Sequence, residues 1–238
     1  SAPSKKLFAK YRCIGGDGNP FLRASDLLEL ISKQGYRMGN QTGGMIRRDV
    51  MKYSVAIIGG GIIGSSAAYF LARTGNDVSV AVIEKDSSYS NATTSKGAGG
   101  VRQQFSVEEN IAQSTFSLDF YKHWKTHMAN VPELPDLKFR EQGYLLVVTA
   151  EGENTLLRNE ALQRSMGVKT ILMNREQLGH KFPSIDRDDI VQSVYTPDDG
   201  WIDPHAGMWG FRRAAEHHGA TYINGQATGM DATKTKVM

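Results

Sequence analysis

Three glycines, Gly59, Gly61 and Gly64, stand as G-x-G-x-x-G within SVAIIGGGIIGSSAAYFLARTGNDVSVAVIEKD, and the carboxylate of Glu84 follows Gly64 by 20 residues. Each glycine has a separate use: Gly59 permits a tight turn, Gly61 lets the backbone approach a pyrophosphate, and Gly64 lets a helix pack closely on a strand. With Gly60 completing the turn, Ile62 and Ile63 would open that helix, whose free N–H groups and positive dipole end suit phosphate oxygens. Glu84, followed by Lys85, would end a second strand, where a carboxylate can accept both ribose hydroxyls of an adenosine. An acid there repels a 2′-phosphate, so the pattern disfavours NADP and leaves NAD or FAD. The plain alternative is a tight turn with no ligand.

A second small-residue cluster, TTSKGAGGVRQQFS, follows closely. Thr94, Ser95, Gly99 and Gly100 leave the backbone open to close approach and offer hydroxyls to a long, phosphate-rich ligand. Arg102 comes immediately after. This is what a cofactor longer than NAD needs if its redox ring is to lie away from the first turn.

The elements that must position these residues are readable from periodicity. Residues 55–58 read as a strand, 62–73 as a helix stopped by Gly75 and Asn76, and 78–83 as a β-branched strand, which together make a βαβ unit and a parallel sheet. A long helix is expected from Ser106, with Glu109 completing a capping box. FREQGYLLVVTAEGE suggests a hairpin-like strand region, 154–166 a helix, 168–173 and 190–196 strands, and PDDGWIDP a turn-rich connection. A helix over 204–218 then leads to a strand near 220–224. The fold class predicted is α/β, a parallel core interrupted by an antiparallel layer.

Composition sets the outer limits. The 238 residues are 40% hydrophobic, enough for a real core. No apolar run reaches the roughly 18 residues of a membrane-spanning helix, so a soluble protein without a transmembrane segment is expected. The single cysteine, Cys13, rules out an internal disulfide and a Cys-rich metal site, and no metal is expected. Residues 1–52 hold ten Lys or Arg against four acids, a net +6 within a total of +3, so the rest of the chain carries −3. Such a basic segment, with one amphipathic helix at 25–33, reads as a solvated extension, a targeting remnant or a tail for an acidic partner. Its cations are not interleaved with aromatics, so nucleic acid is not an expected partner.

GGGIIGSSAAYFLA with EKD and TTSKGAGGVRQQFS resembles the D-amino-acid oxidase superfamily of FAD-dependent oxidoreductases, which includes sarcosine oxidases and dimethylglycine dehydrogenases. YSNATTSKGAGGVRQQFSVEENI, LKFREQGYLLVV, KFPSI and DDGWIDP are most similar to its branch associated with assembly of mitochondrial respiratory complex I. The similarity covers about residues 53–230.

The resemblance implies a Rossmann-like FAD-binding βαβ domain with an interleaved antiparallel-sheet substrate domain, its C-terminal part missing from this chain. The implied division is a basic extension at 1–52, the first part of the FAD domain at 53–135, the substrate-type layer at 136–200 and a truncated return at 201–238. It further implies FAD pyrophosphate at Gly59 to Gly64, adenosine ribose at Glu84, and the flavin end near Thr94, Ser95, Gly99, Gly100 and Arg102. Lys96 stands where some relatives attach flavin through a histidine, which implies non-covalent FAD. Arg102 is then the catalytic candidate, able to stabilise charge on the reduced ring or orient a substrate carboxylate.

The activity implied is oxidation of an amine or N-methyl amino acid by hydride transfer to flavin. The rival is a non-catalytic FAD-fold subunit or assembly factor of a mitochondrial respiratory complex, on the matrix side and bound to other protein chains. An NAD-binding module is a third reading. Of the remaining polar and aromatic residues, His217 and His218 read as dipole-complementing helix-end residues, His205 as a helix-start residue and Asp198 with Asp199 as turn chemistry. Trp201 and Trp209 read as packing aromatics, and Tyr144 as a pocket lining.

Overall fold

The computed structural model describes residues 53–75 and 78–229. The helix expected at 25–33, the rest of the basic segment and the Asn76 part of the helix stop lie outside the described residues. In chain order the elements begin β1 (Val55–Ile58), α1 (Ile62–Ala72), β2 (Val80–Glu84), β3 (Gly100–Val101), α2 (Glu108–Lys122), α3 (Trp124–His127), β4 (Arg140–Glu141) and β5 (Tyr144–Val148). They continue with α4 (Glu153–Ser165), β6 (Ile171–Asn174), α5 (Arg175–Lys181), β7 (Gln192–Thr196), β8 (Gly200–Trp201), α6 (Pro204–His217) and β9 (Thr221–Asn224). Among the described residues no helix is long and apolar enough to cross a membrane. The chain divides into two units, one of Ser1–Ser95 with Phe211–Met238 and one of Lys96–Gly210.

The first unit holds a parallel sheet in the order β1-β2-β9. The middle strand, VAVIE, carries apolar side chains on both faces because both faces are covered, and Val80 through Ile83 are buried. Each such Val or Ile contributes roughly 1.5–3 kcal/mol. Helix α1 buries Ser65, Ala68, Tyr69 and Ala72, and the Tyr69 ring meets Phe70 at 5.0 Å and Phe211 at 5.9 Å. Small residues on this face bring the helix close to the sheet, and that closeness sets where its N-terminus points.

The second unit contains two antiparallel sheets, β3-β8-β4 and β5-β7-β6. Strand β7 is central in the larger one, pairing Val194 with both Leu146 and Leu172. Met173, Leu178 and Ile190 pack beneath it with Leu145, Phe182, Ile185 and Tyr195. The parallel sheet and the antiparallel layer expected from the sequence are both present.

Several local expectations are corrected. The Ser106 to Glu109 capping box does not form: α2 starts at Glu108 after an extended Val107 with no side-chain cap, and Glu108 and Glu109 complement the helix dipole instead. The long helix also breaks at His123 (φ −104°, ψ 23°), where the chain turns to bury Trp124, whose indole N–H donates to the Pro135 carbonyl at 3.1 Å. The FREQGYLLVV stretch is no hairpin. Its strands β4 and β5 belong to different sheets, because Gly143 (φ +77°) turns the chain and donates its N–H to the Asp199 carbonyl. Val168 is buried in the turn before β6 rather than in the strand. Helix α5 is an element that periodicity did not show, although its capping box is legible as Asn174 with Gln177.

Candidate functional site

In the first unit β1 delivers the chain to Gly59, whose φ of +93° is open to glycine and strained for other residues, and its N–H donates to the Ile83 carbonyl at 2.8 Å. Gly64 lies so close to this turn that a Cβ built on it would sit 1.9 Å from the Gly59 carbonyl oxygen. Gly61 precedes α1 with no side-chain cap of its own, and the Ile62 N–H donates instead to the distant Thr94 hydroxyl at 3.1 Å. Ile63 is 82% exposed, an unusual position for a large aliphatic side chain. The Glu84 carboxylate accepts N–H groups from Gly60 at 2.7 Å and Asp86 at 2.9 Å, while Lys85 points to solvent. Gly59 to Gly64, Glu84 and Thr94 are thereby gathered at one end of the parallel sheet.

The turn is backed by residues that sequence reasoning did not single out. Ser65 donates to the Gly60 carbonyl at 2.7 Å and Tyr222 donates to the Ser65 hydroxyl at 2.9 Å. Arg212 lies 4.5 Å above the Tyr222 ring and donates to the Tyr89 hydroxyl at 3.0 Å. Burial raises the pKa of both tyrosines, so they remain neutral, Tyr222 donating to Ser65 and Tyr89 accepting from Arg212.

This set suits the adenosine diphosphate half of FAD. The donors are a helix N-terminus without its own cap and the backbone of a glycine turn, where a Cβ on Gly61 would reach only the Thr94 hydroxyl at 3.2 Å. Ser95 Oγ is buried without a hydrogen-bond partner, and each Glu84 oxygen has lone-pair capacity beyond the N–H it accepts.

The second unit carries the remaining candidates. Gly99 (φ +76°) is tight against β8: Trp201 Nε1 donates to the Ala98 carbonyl at 2.6 Å, and the Ile202 N–H donates to the Gly99 carbonyl at 2.9 Å. A Cβ on Gly100 would meet the Tyr144 ring at 3.1 Å. Lys96 is exposed. The half-buried Arg102 guanidinium lies 5.1 Å from the Phe105 ring and 5.6 Å from the Tyr144 ring, and no described carboxylate forms an ion pair with it.

What holds the Arg102 segment is Asp199, which the sequence presents as turn chemistry. Its side chain is fully buried, and Oδ2 accepts the Gln103 N–H at 3.1 Å. Gln104 donates to the Val194 carbonyl at 3.1 Å, and Gln163 donates to the Phe105 carbonyl at 2.9 Å. Neighbouring Asp198 is a surface partner of Lys169 at 2.7 Å. Desolvation lifts the Asp199 carboxyl from 3.8 to about 6, against the Gln103 and Thr196 hydrogen bonds, and Oδ1 is buried without a partner.

A carboxyl whose folded pKa lies above its unfolded value binds more protons in the folded state, so stability falls as pH rises through that window. The protein is expected to lose on the order of 2 kcal/mol between about pH 4 and pH 6 through this group. Asp199→Asn should flatten that part of the profile in urea denaturation. Parallel wild-type and variant profiles from pH 4 to 8 would assign the loss elsewhere.

A glycine turn at a parallel sheet, with an acid at the end of the second strand and an antiparallel layer beside it in sequence, defines a dinucleotide-type flavoprotein fold. The chain belongs to the FAD dependent oxidoreductase (DAO) family, whose sequence pattern it matches over residues 54–237. It is 38% identical over 179 residues to the FAD-dependent oxidoreductase domain-containing protein 1 of Bos taurus, covering 73% of this chain and 37% of that protein. Among solved structures it is similar to L-proline dehydrogenase from P. horikoshii, at 29% identity with a TM-score of 0.60 over 71% of this chain and 42% of that one. It is also similar to glycine oxidase from Bacillus cereus, at 26% identity with a TM-score of 0.57 over 72% of this chain and 46% of that one. The chain therefore spans less than half the length of these proteins.

Proposed function

We propose that this chain supplies the FAD-binding portion of an oxidoreductase that oxidises an amino acid or N-methyl amino acid at its C–N bond. The observation that carries the reading is Arg102, a half-buried cation set between two aromatic faces with no described carboxylate paired to it. Such a cation is available to the carboxylate of a substrate. The two solved relatives are by name an L-proline dehydrogenase and a glycine oxidase, whose substrates both carry that group.

The amides at the start of α1 would hold the pyrophosphate, and Glu84 would accept hydrogen bonds from the ribose hydroxyls. Bound FAD supplies the two-electron acceptor. The Arg102 guanidinium would bind the substrate by its carboxylate. Two-electron oxidation of the C–N bond would give an imine from a primary or secondary amine, which sheds its N–H proton, and an iminium ion from a tertiary amine such as dimethylglycine; water would cleave either one to a carbonyl compound and an amine.

The test is an absorption spectrum of the full-length protein from its native source, acid precipitation, and anaerobic addition of sarcosine, dimethylglycine and proline. Flavin bands released into the supernatant and bleached by one of these substrates are the expected result. Bound flavin that none of them bleaches would favour the non-catalytic member of a mitochondrial respiratory assembly. A colourless protein that takes up no FAD would overturn the flavoprotein reading for this protein.

A further inference from the structure

The end of α2 and the turn of α3 carry Asp119, His123 and His127 at spacings of four residues, all exposed. On an uninterrupted helix the first and last would lie about 12 Å apart along the axis. Here the chain departs from helical geometry at His123, and one donor atom from each side chain lies within 4.8 Å of the other two. His123 Nδ1 is 3.0 Å from the Asp119 carbonyl oxygen and 3.2 Å from Asp119 Oδ1, so that ring and that carboxylate are already drawn together. The His127 ring lies flat on Phe120, with centroids 4.6 Å apart and planes 3° apart, which restricts its orientation. It stands nearly perpendicular to the His123 ring, at 89°.

We propose that Asp119, His123 and His127 bind one divalent transition-metal ion, Zn²⁺ by preference among the non-redox ions. Two imidazoles and one carboxylate are borderline donors that suit Zn²⁺, whereas Ca²⁺ and Mg²⁺ require oxygen ligands throughout. Three protein ligands leave one tetrahedral position for water. The ion ties the end of α2 to α3 across the His123 break, so it stabilises the turn that buries Trp124. It lies within the second unit and is independent of flavin chemistry. The single cysteine offers no hint of it, because the spacing becomes a site only through the break.

The experiment is calorimetric titration of the untagged protein with ZnCl₂ in a non-chelating buffer, together with thermal melts. One equivalent should bind and raise the Tm. His123→Gln and His127→Gln should each weaken binding by at least about 30-fold, since even an outer-shell partner of a metal ligand is worth about 10–100-fold. Both positions are exposed, so the variants should keep the wild-type circular dichroism spectrum. His205→Gln, exposed and outside the cluster, should bind as wild type does. An absence of saturable binding, or equal affinity in all three variants, would overturn the site.

Discussion

Gly64→Ala is expected to disrupt the Gly59 turn. The added methyl would stand 1.9 Å from the Gly59 carbonyl oxygen and 3.1 Å from its carbon, both backbone atoms. Either α1 lifts from β1 or the Gly59 turn opens, and such overpacking costs about 1–3 kcal/mol. The N-terminus of α1 then no longer points where its amides converge, and FAD affinity should fall roughly a hundredfold, equivalent to about 2.7 kcal/mol. Gly61→Ala separates the two consequences. Its methyl meets only the Thr94 hydroxyl, at 3.2 Å, so the fold should survive while the methyl occupies the space a pyrophosphate needs. Urea melts and flavin titration check the pair. Wild-type FAD affinity in Gly61→Ala would place the pyrophosphate away from this turn.

Arg102→Met should leave FAD affinity within about threefold of wild type while lowering kcat/KM for an amino-acid substrate by at least about a hundredfold, roughly 2.7 kcal/mol of transition-state stabilisation. Methionine preserves the packing against Phe105 and Tyr144 and removes the charge. Arg102→Lys should recover part of the rate, since a point charge replaces a planar fork. An amine lacking the carboxylate tells the two roles apart. Equal loss on carboxylate-bearing and carboxylate-free amines would make Arg102 a stabiliser of reduced flavin, whereas loss confined to the former makes it the substrate anchor. Unchanged kcat/KM for both would remove it from the chemistry.

Features that depend on neighbours in sequence were legible before the fold was known. The strand, turn and helix around Gly59 are one such case: apolar periodicity, glycine spacing and Glu84 at the second strand end all lie within 30 residues. The outcome differed where a local signal had a competitor. Ser106 and Glu109 spell a capping box, yet the helix begins at Glu108, and the 140–148 stretch reads as one hairpin although its halves pair in separate sheets. In the second case the tertiary partners decided, because β8 takes β4 and β7 takes β5.

The amino-acid sequence by itself determined the residues on offer: a glycine turn at the mouth of a helix, an acid at the end of the second strand and a second small-residue cluster ending in an arginine. These need only short-range order. The tertiary structure alone decided what holds them. Arg212 reaches Tyr89 across 123 residues, Tyr222 supports Ser65 across 157, and Asp199 takes the Gln103 N–H across 96. The acid that reads as turn chemistry becomes a buried anchor with a raised pKa because chain closure removes it from water, and desolvation is a property of what surrounds a side chain rather than of its place in the chain.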